Sequence, residues 1–156
     1  MRLLVPSTPG HWLTARHLIE AYAQSLGVDL CFQNFDDEIE HLAEQYGPPK
    51  GAFLLAEAEG RAIGCVGLRP YDESIGEIKR LYVDPSGRGH GVGRTLAKGI
   101  IERGRELGYA RLVLDTLPSM TEARALYTSL GFAPIDPYRY NPVEGTSFLA
   151  LTLRPR

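Results

Sequence analysis

A glycine-rich turn between an apolar strand and an amphipathic helix most limits what this chain can fold into. The stretch VDPSGRGHGVGRTL starts at Val83, and Gly89, Gly91 and Gly93 leave no side chains where strand passes into helix. Backbone N–H groups there can approach an anion closely, and the helix N-terminus adds partial positive charge. Arg88 and Arg94 flank this nest and can reach phosphate oxygens. Two familiar phosphate loops fail on spacing. A Walker A loop needs GxxxxGK[ST], and no Lys-Ser or Lys-Thr follows these glycines. The dinucleotide fingerprint GxGxxG would require glycine where Arg94 or Leu96 stands. Asp115, closing the next apolar run, keeps a ribose contact and hence nicotinamide as the nearest competitor. The segments before the loop read as antiparallel strands, which argues against it.

Those segments are legible from their periodicity. RLLV (2–5) reads as a short strand, and Thr8-Pro9 opens a helix with Trp12, Ala15, Ile19, Tyr22 and Leu26 at helical spacing, stopped at Gly27. Asp36 or Asp37 is expected to cap a second helix with Ile39, Leu42, Ala43 and Tyr46 on one face, ended by Gly47-Pro48-Pro49. AFLLAEA (52–58), a Glu59-Gly60 turn and RAIGCVGLR (61–69) form a hairpin. The third strand, 73–83, slips in phase, and a one-residue bulge between Ile78 and Leu81 restores it. Such a bulge splays the strand end from its neighbour. Beyond the loop come a helix to about 107, a strand at 111–115, a helix near 119–130, and strands at 132–135 and 147–153. Hairpins followed by strand–helix–strand–helix predict an α/β fold, a mixed, mostly antiparallel sheet with helices on both faces.

Composition narrows the class further. At 156 residues the chain suits a single domain, 1–156, able to bury a core without metal or disulfide staples. Its formal charge of -2 is too balanced for a dedicated nucleic-acid binder. MRLLVPSTPG lacks a signal-peptide core, and no apolar run is long enough for a membrane span, so neither secretion nor a membrane is expected. Cys31 and Cys65 read as buried, reduced residues of a cytoplasmic protein. His11, His17 and His41 lack ligand-spaced partners, so no metal is expected, and no GxSxG elbow supports serine hydrolysis.

Arg88-Gly89-His90-Gly91-Val92-Gly93 fits the Q/R-x-x-G-x-G/A pyrophosphate motif, so the chain resembles the GNAT superfamily of acyl-CoA-dependent N-acetyltransferases. Leu81-Tyr82-Val83 before it and ALYTSLGF (125–132) after it match in order and spacing. The resemblance implies a sheet splayed between its fourth and fifth strands, with the pantetheine arm of acetyl-CoA in the gap. Main-chain groups of Leu81, Tyr82 and Val83 would pair with that arm. Amides from Arg88 through Gly89, His90, Gly91, Val92 and Gly93 to Arg94 would hold the pyrophosphate. One N–H near Val83 would polarise the thioester carbonyl. Family members often carry Asn where Met120 stands here.

The implied reaction is acetyl transfer from acetyl-CoA, as co-substrate, to a primary amine by direct attack through a tetrahedral intermediate. Tyr127 matches the family tyrosine that protonates the leaving thiolate; the bottom-up alternative is a core aromatic in the stripe Met120, Ala123, Tyr127 and Leu130. Glu77, just before the bulge, is the candidate base, acting directly or through water. Its alternative is a carboxylate paired with Lys79 or Arg111. His90 reads as a solvent-facing loop residue rather than a base. Tyr138, Tyr140, Asn141, Phe32 and Phe35 are candidates to line the acceptor pocket. The Asp36-Asp37-Glu38 run leans towards a cationic acceptor. A catalytically silent acyl-CoA sensor is the other function class, and a homodimer is common among similar proteins.

Overall fold

The computed structural model describes residues 1–27 and 34–153. Seven strands, β1 (Arg2–Leu4), β2 (Ala52–Ala58), β3 (Arg61–Pro70), β4 (Ile75–Val83), β5 (Arg111–Thr116), β6 (Ala133–Pro134) and β7 (Ser147–Thr152), form one sheet. Their order is β1-β2-β3-β4-β5-β7-β6. Among the described strands only β4 and β5 run parallel, because the helix between them carries the chain back to the same end of the sheet. Glu59 and Gly60, both at positive φ, make the tight turn joining β2 to β3.

Helix α1 (Pro9–Leu26) begins where Thr8 accepts a hydrogen bond from the His11 amide and ends at Gly27 in the left-handed region. The second expected helix is two. α2 (Phe35–Glu40) and α3 (Leu42–Tyr46) are separated at His41, whose amide bonds the Glu38 carbonyl. Asn34, not Asp36 or Asp37, occupies the N-cap position. Cys31 and Phe32 lie outside the described residues.

Strand alternation supplies a core on each face. Leu54, Val66, Leu68, Ile78, Leu112 and Leu114 pack against α4 (Val92–Glu106) and α5 (Thr121–Ser129). Phe53, Leu55, Cys65 and Tyr82 face α1 and the short helices, where Ala15, Ile19 and Tyr46 complete the second core. The expected bulge is present. Cys65 pairs with Tyr82 and Gly67 with Lys79, so Arg80 and Leu81 together oppose Val66. Arg80 sits at φ +64 to make this possible.

Candidate active site

The consequence of the bulge is an open edge. β4 pairs with β5 only through Ile75, Gly76 and Glu77, whereas its ladder with β3 continues to Val83. Beyond Glu77, no strand among the described residues pairs with β4 on its β5 side. A wedge therefore opens between the two strands, and unpaired strand groups at such an edge can accept an extended ligand as an added strand.

The glycine loop closes one end of the wedge. After a 3-10 turn at Pro85–Gly87, capped by Asp84, the chain reaches Gly89 and Gly91, at φ +83 and +73. A Cβ at either would meet open space, so it is the backbone conformation that asks for glycine. The first bond of α4 runs from the Thr95 amide to the Gly91 carbonyl. Amides of Val92, Gly93 and Arg94 therefore lack partners within the helix and point out of its positive end.

Wedge and loop line one cavity of about 470 Å³. Among the expected cofactor residues, Leu81, Tyr82, Val83, Arg88, Gly89, Gly91, Val92 and Gly93 line it. His90 is exposed outside the lining. Arg88 turns back to donate from Nε to the Val83 carbonyl (3.0 Å), and Arg94 donates to the Ser129 hydroxyl (3.0 Å). Met120 also lines the cavity, just before α5. Sequence reasoning missed the opposite wall, formed by Tyr22, Ser25 and Leu26 at the end of α1. Their spacing signals an ordinary buried helix face, and nothing in it marks a ligand.

The chain's own relatives fit this geometry. The sequence profile of the acetyltransferase (GNAT) family matches residues 15–132. The chain belongs to the GNAT family. It is 43% identical over 138 residues to an uncharacterized N-acetyltransferase of Schizosaccharomyces pombe, covering 87% of this chain and 85% of that one. A GNAT acetyltransferase of Staphylococcus aureus superposes with TM-score 0.79 at 19% identity, over 98% of this chain and 100% of that one. Another, from Elizabethkingia anophelis with acetyl-CoA bound, gives 0.61 at 20% identity over 97% of both chains. The protein is thus an acetyl-CoA-dependent N-acetyltransferase, and the splayed sheet is its family's fold.

Tyr127 lies behind the cavity wall formed by Ala123 and Leu126. It is 3% exposed and packs edge-on against Phe132, ring centres 5.2 Å apart. Among the described residues its hydroxyl has no hydrogen-bond partner. Burial pushes this phenol well above its ordinary range, and the nearby Tyr22 phenol pushes the same way. Burial likewise raises Tyr22 to about 12, against the lowering pull of Arg80. Tyr127 stays protonated across the physiological range.

Glu77 is 1% exposed, on the opposite face of the sheet from Ile78. Its Oε1 accepts from Arg139 (2.7 Å) and Arg69 (3.4 Å), and its Oε2 from the Tyr138 hydroxyl (2.7 Å). The charge partners are thus these two arginines rather than Arg111. Asn141 donates to Asp115 on β5 (3.2 Å), and Tyr140 is exposed. Phe35 covers the Arg80 guanidinium, 5.4 Å from its ring centre.

Of the acidic run, Asp36 and Asp37 are exposed. Glu38 is buried at 0% exposure against Arg80 and Arg69, and Asp37 contacts His41. Lys79, also buried, follows Glu77 on β4. Burial first, then Arg80, lowers its amine to about 7, while Glu77 and Asp115 pull it upward. Among the described residues, no group of His, Cys, Asp and Glu is placed to hold a metal ion, and no helix is long and apolar enough to cross a membrane.

Proposed function

We propose that this acetyltransferase transfers the acetyl group to a primary amine by direct attack, through a tetrahedral intermediate, at the mouth of the β4–β5 wedge. One observation carries the reading: the unpaired β4 edge and the outward amides of the glycine loop line the same cavity. Amides from Arg88 to Arg94 bind the pyrophosphate of acetyl-CoA. The main chain of Leu81, Tyr82 and Val83 bonds its pantetheine arm, and an N–H near Val83 polarises the thioester carbonyl. Losing a donor of this kind typically costs about 2.7–4 kcal/mol of activation energy.

An amine of lysine type is protonated at neutral pH, so it must shed a proton before attack. Glu77 receives it through water or through the Tyr138 hydroxyl, which already donates to Oε2. Arg69 and Arg139 fix that carboxylate in place. Tyr127 gives its phenolic proton to the departing thiolate. Burial keeps that phenol protonated, and so able to donate, at neutral pH.

Thiol release with acetyl-CoA and a panel of primary amines tests the reading, beside calorimetric binding of CoA. Release that depends on an amine supports it. Tight CoA binding with no release from any amine would instead mark a binding module.

A further inference from the structure

A second cavity, of about 630 Å³, opens at the other end of β4, where Arg69 and Pro70 pair with Glu77 and Gly76. It shares no lining residue with the first. Lys50, Arg69 and Arg139 contribute three cations to its wall, against the single carboxylate of Glu44. Behind the wall, the ion pairs of Arg69, Arg80 and Arg139 among the described residues run to two carboxylates, Glu38 and Glu77. Three guanidinium groups on two buried carboxylates leave one positive charge in excess. On the wall itself, Lys50 and Glu44 add one charge of each sign.

Free donors remain as well. Arg69 spends Nε on Glu77 and Nη1 on Glu38 and Gln45, and Arg139 spends Nη2 on Glu77. Among the described residues, Arg69 Nη2 and Arg139 Nη1 have no partner. The two arginines already hold Glu77, the carboxylate assigned above to take the amine's proton through water or the Tyr138 hydroxyl. An anion bound to their free edges would therefore sit on the acceptor side, away from the acetyl donor. Planar guanidinium edges match a carboxylate in shape and hydrogen-bond geometry.

From this arrangement we infer that the acceptor is a primary amine bearing a carboxylate, which docks on Lys50, Arg69 and Arg139. This rests on the acetyl-transfer reading and adds the acceptor's class to it. Glu77 and Leu81 are four residues apart on β4, roughly 13 Å of strand, so nitrogen and carboxylate are separated by a chain. The excess positive charge also repels polyamines, whose second ammonium would have to enter the same pocket.

The test uses ω-amino acids of increasing length and L-lysine, each beside its amide, in the thiol-release assay. The acids are expected to exceed their amides in kcat/KM by about tenfold or more, the worth of one charge-assisted contact. Lys50 is exposed, so Lys50→Glu should fold normally, raise KM for the acids and erase most of the preference. Equal use of acids and amides, or a preference that Lys50→Glu leaves intact, overturns the inference while leaving acetyl transfer standing. If no amine releases thiol, acetyl transfer to small amines fails, and melting curves with 6-aminohexanoate read the pocket alone. A rise in Tm that Lys50→Glu abolishes supports the carboxylate site. No rise overturns it.

Discussion

Glu38 and Arg80 form a two-pronged buried ion pair, Nε to Oε2 at 2.8 Å and Nη2 to Oε1 at 2.9 Å. Arg80 is the bulge residue, held at φ +64, a conformation costing a non-glycine residue about 1–3 kcal/mol. Its guanidinium lies between the rings of Tyr22 and Phe35, 5.8 and 5.4 Å from their centres. Helix α2 therefore staples the strained turn of β4, and that turn opens the edge facing the cavity beside the glycine loop.

Glu38→Gln should be among the most destabilising single changes in the chain. Removing one partner leaves a buried guanidinium uncompensated, at a cost of about 3–5 kcal/mol. Urea unfolding measures it. Replacing both residues together, Glu38→Met with Arg80→Met, should recover much of the loss. A double variant as unstable as the single one would show that the charge itself is not the cause.

The same pair sets an acid limit. Burial alone would raise the Glu38 carboxyl, but the hydrogen bond and charge of Arg80, with Arg69 and Lys79, outweigh it and hold the group below its usual range. A carboxyl lowered in the folded state lends stability above its unfolded value, near 4.3, and loses it as pH falls through the folded one. Wild type should therefore lose stability more steeply below about pH 4.3 than Glu38→Gln does. Parallel acid limbs in paired urea titrations would discard this account.

Much of this arrangement is written locally in the sequence, and the ion-pair network is not. The phase slip in IGEIKRLYV reveals the bulge because strand alternation has a strict period of two. The glycine loop shows itself because positive φ and close backbone approach both call for glycine. Glu38 and Arg80 lie 42 residues apart, and Glu77 meets Arg139 across 62. No local period encodes such pairings; register and packing decide them. For Glu77 the sequence suggests Lys79 or Arg111, whereas its hydrogen-bonded arginines come from β3 and the loop before β7. Tyr22 hides for a related reason, since a cavity wall and a core face share one helical spacing.

Lys79 should make stability rise with pH above neutrality. Burial and then Arg80 hold its amine at about 7 in the folded chain, whereas the unfolded lysine titrates near 10.4. Between these values the unfolded state binds a proton that the folded state lacks, so stability climbs with pH. Lys79→Met removes that slope. The variant's stability relative to wild type should be highest near pH 7 and shrink towards pH 10. Urea midpoints that stay a constant distance apart over this range would refute it.

Two glycines of the loop should respond differently to the same methyl. Gly91→Ala forces φ +73 on an alanine, costing about 1–2 kcal/mol, and displaces the amides at the start of α4. Stability should drop and KM for acetyl-CoA rise. Gly93 lies within α4, where an added Cβ meets Val83 and Leu126 at ordinary distances of 3.7 and 3.8 Å. Gly93→Ala should keep or slightly raise Tm, since alanine suits a helix better, yet raise KM because the methyl enters the cavity lining. Equal behaviour of the two variants would contradict this division.

Tyr127→Phe separates the acid from the core aromatic. The change keeps the ring against Phe132 and deletes only the hydroxyl, which has no hydrogen-bond partner among the described residues. Stability should therefore hold, because no buried bond is broken. If the phenol protonates the thiolate, kcat should fall roughly 10²–10⁴-fold, the usual contribution of a positioned acid. Binding of acetyl-CoA should change little, so kcat and kcat/KM fall together, as for a group acting only in the transition state. Tyr127→Ala offers the contrast: it empties a buried site in the core and should cost about 3–5 kcal/mol of stability whatever the ring does in catalysis. Single-turnover rates guard against product release masking the chemical step. An unchanged single-turnover rate in Tyr127→Phe would leave the tyrosine as packing behind the wedge, with water as the thiolate's proton source.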